Sequence, residues 1–174
     1  TGDNVFSPSG NMTVAQAITI AARIHSIFNS VQVDFTAAEG AAWYAPYVKY
    51  AEDNKFFEAV SFDSFDRNVK RWEMATLFGS VLPEKWFTAI NTVGYIPDIA
   101  VDAPYKANIL ALYNAGILMG SDSYGTFKPD NDITRAEASA IINRIADKAQ
   151  RIKGKLELNA ALLSTADLAE TGYY

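Results

Sequence analysis

Phe127-Lys128-Pro129-Asp130-Asn131-Asp132-Ile133-Thr134-Arg135-Ala136-Glu137 is the stretch on which the fold turns. Laid over the N-terminus, it falls without a gap on Phe6-Ser7-Pro8-Ser9-Gly10-Asn11-Met12-Thr13-Val14-Ala15-Gln16, 121 residues earlier. The register persists downstream, where Ile141-Ile142-Asn143-Arg144-Ile145 lies over Ile20-Ala21-Ala22-Arg23-Ile24. A weaker match, Val69-Lys70-Arg71-Trp72-Glu73, sits 64 residues before Ile133. It keeps Arg and Glu, but its lead-in reads Asp63-Ser64-Phe65 in place of Phe-x-Pro. Upstream of these stretches, the segment from Val48 to Phe56 resembles that from Ile109 to Ile117. Each unit therefore reads as helix, loop, helix, with a period of roughly 60 residues and insertions.

The helices have local causes. Thr134 with Glu137 is a capping box, in which the hydroxyl accepts from the N3 backbone N–H and the carboxylate reaches back to the cap. Thr13 with Gln16 repeats the arrangement. Apolar stripes at helical spacing follow: Ala17, Ile18, Ala21, Ile24 and Phe28 in one, Ala138, Ile141, Ile142, Ile145 and Ala149 in the other. Pro104 suits the first turn of a helix that runs through Leu112 and stops at Gly116. Gly120 to Gly125 is a turn cluster. Residues 83–103 read as a connector with a short helix near Trp86 to Val93, and Lys155 to Ala169 is compatible with helix. Helix pairs this short cannot bury their own apolar faces, so several must pack together in one all-α domain.

Composition narrows the function. With 174 residues, 49% of them hydrophobic, the chain can build a packed core. Its net charge of -5 argues against a nucleic-acid binder. No cysteine is present, which removes disulfides, thiolate metal sites and cysteine nucleophiles together. The single histidine, His25, removes most histidine-based catalysis and reads as structural. No apolar run is long enough for a membrane span. The chain starts inside what reads as a loop, as a fragment or processed piece would, so the lack of a signal peptide says little about export.

The residues Phe127-x-Pro129, Ile133-Thr134-Arg135-Ala136-Glu137 and the preceding Ala115-Gly116-Ile117-Leu118-Met119-Gly120 resemble the S-layer homology (SLH) family. Phe6-x-Pro8 with Thr13-Val14-Ala15-Gln16 is similar to the second half of another copy. Trp43 to Tyr47 resembles the start of a copy that continues to Glu73. The resemblance covers roughly residues 2–148. It implies an all-α, pseudo-threefold bundle of helix-loop-helix repeats: 1–30 as the second half of repeat one, 35–82 as a diverged repeat two, 83–148 as connector and repeat three, and 149–174 as a helical tail. The opening helix of the first copy is missing from this scheme. The resemblance further implies a non-catalytic module at the bacterial cell surface, holding an acidic and often pyruvylated secondary cell-wall polymer in grooves between copies. The family's binding arginine transfers to Arg135 and Arg71. It does not transfer to the first copy, which has Val14.

Arg135 lies in a helix's first turn, where the helix dipole favours anions rather than cations. Beside free N–H groups, a guanidinium there makes an anion-binding corner able to grip a carboxylate bidentately. Arg71 is the same on a poorer cap, Lys70. Trp43, Trp72 and Trp86 could each stack on a pyranose face; the resemblance favours Trp43 as the groove residue and leaves Trp72 and Trp86 as packing. Gly120, Ser121 and Asp122 either line a ligand or simply make the turn. Glu137 and Glu73 read as caps rather than general acids. Asp130, Asn131 and Asp132 lack the ligand spacing and closing glutamate of a calcium loop, so neither metal nor cofactor is expected. Two rival readings remain: an assembly domain that self-associates in a surface lattice, and a wall-active hydrolase.

Overall fold

The structure is a computed structural model that describes residues 6–58, 60–154 and 156. Among the described residues it is all-α, with five helices: α1 (Val14–Phe28), α2 (Ala45–Asp53), α3 (Arg71–Val81), α4 (Lys106–Asn114) and α5 (Arg135–Ala146). Short 3-10 turns follow at Phe56–Glu58, Glu84–Trp86 and Lys148–Gln150.

Both threonine capping boxes form. The Thr13 Oγ1 accepts the Gln16 N–H at 3.3 Å, and Gln16 Oε1 accepts the Thr13 N–H at 3.1 Å. At α5, Thr134 Oγ1 accepts from the Glu137 N–H at 3.3 Å and Glu137 Oε2 accepts from the Thr134 N–H at 2.9 Å. At α3 only half a box exists. Glu73 accepts the Lys70 N–H at 2.8 Å, but an ammonium has no lone pair to return the bond. Helix α2 carries Pro46 in its first turn. Pro104 sits just ahead of the α4 cap, Tyr105, rather than inside the first turn. α4 ends at Asn114, and the residue after its cap is Gly116, whose φ of 71° and close approach to the Ile152 carbonyl exclude a side chain.

Helix α2 packs on α1, α4 packs on α3, and α1 packs on α3. Helix α5 enters none of these extensive pairs. A single apolar cluster nevertheless joins all five helices, from Ile18 and Ala51 through Leu77 and Ile109 to Ile145.

The loops ahead of α1, α3 and α5 meet at a hub. Met12 N–H donates to the Ile133 carbonyl at 2.9 Å, Val69 N–H to the Met12 carbonyl at 3.0 Å, and Ile133 N–H to the Val69 carbonyl at 3.3 Å. The three bonds close a ring. Around it a second set recurs: Val14 N–H to the Arg67 carbonyl, Arg71 N–H to Asn131 and Arg135 N–H to Gly10, at 2.8–2.9 Å. These donors and acceptors differ in position by the same 121 and 64 residues as the sequence matches. At the hub Asp132 accepts from Asn68 Nδ2 at 2.7 Å, Lys70 Nζ at 2.7 Å and Asn11 Nδ2 at 3.2 Å. Asn11, Asn68 and Asp132 occupy matching positions. One carboxylate with two amides is a satisfiable trio, where three carboxylates would repel. The Lys70 and Asn68 bonds hold the Asp132 carboxyl below the usual aspartate range, outweighing the opposite effect of burial.

Two expectations fail locally. The connector forms no helix near Trp86 to Val93. After the 3-10 turn Glu84–Trp86, the chain is pinned open by Asn114: its carbonyl accepts the N–H groups of Ile90 and Asn91, and its side chain bonds both backbone groups of Val93. The α5 stripe stops at Ala146, because Asp147 is extended and caps the next turn, so Ala149 lies outside the helix. The expected tail helix lies almost wholly outside the described residues. The strap before it is described, with Ile152 N–H on the Gly116 carbonyl at 2.9 Å.

Candidate functional site

Two grooves open beside the first turns of α5 and α3. Arg135 and Arg71 sit in the same place on their helices, the first residue after the cap. Their surroundings differ.

The groove at Arg135 holds about 340 Å³ and is lined by Phe6, Met12, Gln16, Thr19, Ile20, Trp43, Ser139 and Ile142 besides the arginine. Its walls are largely apolar. Trp43 is 52% exposed and meets Tyr44 edge-on at 5.5 Å. The structure thus brings Arg135 and Trp43, 92 positions apart in the chain, into one groove. The Arg135 guanidinium has no hydrogen-bond or ion-pair partner among the described residues, and the side chain is half-exposed. Ser139 and Ile142 reach the groove because α5 lacks a close helical partner. The matching residues, Ile18 and Ala21 on α1 and Ala75 and Phe78 on α3, are fully buried.

The anion corner differs from expectation in one respect: its N–H groups are not free. Arg135 N–H donates to the Gly10 carbonyl at 2.8 Å, Ala136 N–H to Pro8 at 3.0 Å, and Glu137 N–H to Thr134 Oγ1. Any anion in this groove is met by side chains, chiefly the guanidinium.

The groove at Arg71 holds about 210 Å³ and is lined by Leu118, Met119, Gly120, Ser121, Glu137, Ala140, Ile141 and Arg144. Here the arginine is engaged internally. Its side chain is 10% exposed and pairs with Glu137 at 2.6 Å. The Nε donates to the Phe127 carbonyl at 2.8 Å, and the guanidinium lies 5.1 Å from the Phe127 ring centroid. Glu137 is therefore a cap and a counter-ion together. Burial pushes its carboxyl upward, but the Thr134 N–H, the Thr134 hydroxyl and Arg71 prevail and hold it below the usual glutamate range.

Gly120, Ser121 and Asp122 have turn roles. A Cβ on Gly120 would fall 2.1 Å from the Gly125 carbonyl carbon. Ser121 N–H and Oγ both donate to the Thr126 carbonyl, at 2.9 and 3.1 Å. Asp122 Oδ1 accepts the N–H groups of Tyr124 and Thr126 at 3.1 and 3.0 Å. Gly120 and Ser121 still wall the Arg71 groove, whereas Asp122 does not line it.

In the weaker match, Glu73 pairs with Arg67 at 2.6 Å, and Arg67 also binds Asp63, the residue standing where Phe127 would be. No arginine faces Glu73 from α1, because Val14 is there, fully buried. His25 is structural: Nδ1 lies 2.9 Å from the Tyr50 hydroxyl, and burial lowers its pKa. Trp72 stacks on Tyr105, and Trp86 packs on Phe28 beneath Lys148 and Arg151.

The comparisons with known proteins agree with this geometry. A family model described as the S-layer homology domain matches residues 96–139. That span holds α4, the turn cluster and the Thr134–Glu137 cap. Over 173 residues the chain is 27% identical to a "Cellulosome-anchoring protein" of Acetivibrio thermocellus, an alignment covering 94% of this chain. The chain spans 37% of the length of that relative. It therefore carries a domain of the S-layer homology family, over residues 96–139.

Proposed function

We propose that the chain is a non-catalytic anchoring module that fixes its parent protein to a bacterial cell wall by binding an acidic glycan in the Arg135 groove. The observation that carries this reading is the unpaired guanidinium beside an exposed tryptophan in a largely apolar groove. A guanidinium can grip a carboxylate in a fork, and an indole face can stack on a pyranose ring. A pyruvate ketal on a sugar presents both features, a carboxylate and an apolar face. The S-layer homology domain and the anchoring role in the relative's name support a wall partner and a place outside the cell. The partner in this reading is a secondary cell-wall polymer.

The same reading includes three copies of one repeat around the hub, with residues 1–30, 35–82 and 83–148 contributing and 149–174 as a tail. The closed ring of Met12, Val69 and Ile133 bonds supports it. Catalysis has no part in it: Glu137, the one carboxylate among the residues lining the two grooves, is engaged as a cap and in an ion pair.

The test is saturable binding to purified wall polymer, before and after its acidic groups are removed chemically. The expected result is binding that disappears with those groups. Undiminished binding overturns the acidic-glycan reading. The rival reading, self-association, draws on exposed Ile27 (71%) and Phe6 (61%). It predicts concentration-dependent assembly without polymer, measurable by sedimentation.

A further inference from the structure

The residue facing each groove arginine from the neighbouring helix is what distinguishes the grooves. At Arg71 it is Glu137; at Arg135 it is Gln16, which stands in the matching position, third in its helix. Both residues cap their own helices through one oxygen. Glu137 uses Oε2 for Thr134 and keeps Oε1, which Arg71 takes at 2.6 Å. Gln16 uses its single oxygen, Oε1, for the Thr13 N–H at 3.1 Å. What remains to Gln16 is the Nε2 amide, which only donates, and the second lone pair of Oε1, which Arg135 leaves unused. The side chain is neutral, so it makes no ion pair with the guanidinium. The cap thus fixes the amide orientation and presents two donor groups, Gln16 Nε2 and Arg135, to the same groove.

We infer that Gln16 is a ligand-binding and specificity-determining residue: it donates a hydrogen bond to an acidic group held by Arg135, and the exchange of Gln for Glu at this cap position decides whether a groove accepts an anion. The Arg135 groove is open by this rule. The Arg71 groove is closed, because Glu137 already supplies the carboxylate that a ligand would bring. The chain therefore binds one acidic group rather than two. This inference rests on the reading of the Arg135 groove as the glycan site.

The experiment uses the full chain and a pyruvate-ketal hexose as probe, followed by calorimetry, with folding checked by circular dichroism. Gln16→Glu retains a side chain able to cap α1, so folding persists, and it places a counter-ion beside Arg135. Affinity is expected to fall about 10- to 100-fold at pH 7, the scale of hydrogen bonds to charged groups. It is expected to recover in part as pH falls below the ordinary glutamate range, when the new carboxyl takes up a proton, relative to the wild type at the same pH. Glu137→Gln also keeps the α5 cap and frees Arg71, raising the number of sites from one to two. Arg135→Ala separates the two layers of the claim. If it abolishes binding while Gln16→Glu binds as well as wild type, the rule for Gln16 is overturned and the site stands. If Arg135→Ala binds normally, both fall. A stoichiometry of one that persists in Glu137→Gln overturns the closed-groove half.

Discussion

The two grooves begin from the same element, an arginine one residue past a helix cap, and end in different chemistry. At Arg71 the guanidinium is 10% exposed and answered by Glu137, the Phe127 carbonyl and the Phe127 ring. At Arg135 no described residue answers it. Removing the Arg71 charge from water is costly, and the cluster offsets that cost with a tight pair to half-exposed Glu137 and a bond to the Phe127 carbonyl. An unpaired, half-exposed arginine keeps its hydration and has its hydrogen-bonding capacity in reserve for a partner. The lesson is that a motif identifies where a cation will stand, while the neighbouring helix decides whether that cation is paired inside the fold or left without a counter-ion.

The walls extend the contrast. The Arg71 groove is bounded by backbone in contact with backbone, at Gly120 against Gly125. Gly120→Ala should be the most disruptive change considered, lowering stability by about 3 kcal/mol or more in urea denaturation, because the obstructing atoms are main chain. A variant of near-native stability would mean that the groove wall yields. Next, Arg71→Ala should cost about 2–3 kcal/mol, since it leaves a buried carbonyl unsatisfied and an acid without its counter-ion. Arg135→Ala should change stability by less than about 0.5 kcal/mol, as exposed substitutions usually do, and weaken glycan binding by about 1.5–3 kcal/mol. Equal stability losses at the two arginines would remove the distinction. Thr134→Ala should cost about 1 kcal/mol through its cap, measured in the same way, without changing which groove binds.

Acid should affect the two grooves unequally. The Glu137 carboxyl titrates below its ordinary 4.5 in the folded chain. A depressed folded pKa means stability that is fully present above the unfolded value and lost as pH falls through the folded one. Denaturation between about pH 5 and 3 should therefore show a small loss in the wild type that is reduced in Glu137→Gln. Asp132, also depressed, contributes a loss of the same sign in both chains, at lower pH because it starts from 3.8. An identical pH response in the two chains would show that Glu137 contributes nothing at this pair.

Much of the arrangement was legible in the residues. The two threonine caps and the apolar stripe through Ala138, Ile141 and Ile145 are local patterns, and local patterns survive folding. Arg135 and Trp43 were each singled out through the resemblance, but their meeting in one groove was not read from the sequence. What was not legible depends on contacts between distant segments. Arg71 and Glu137 are 66 residues apart, and nothing local to either predicts their pairing. The hub of Asn11, Asn68 and Asp132 was equally hidden, although matching positions in the aligned stretches must converge if the units surround one axis. The same alignment set Gln16 against Glu137 from the start, and that exchange was the available signal for the difference between the grooves. The connector failed as a helix because Asn114 binds its backbone from another element, which no window of sequence around Trp86 contains.

The most direct test is a crystal structure of the full chain with a pyruvate-ketal disaccharide bound. The expected result is the ketal carboxylate on the Arg135 guanidinium, the sugar ring against Trp43, and the Arg71–Glu137 pair intact with no ligand beside it. A disaccharide seated at Arg71 with the Arg135 groove empty would contradict the assignment of the two grooves.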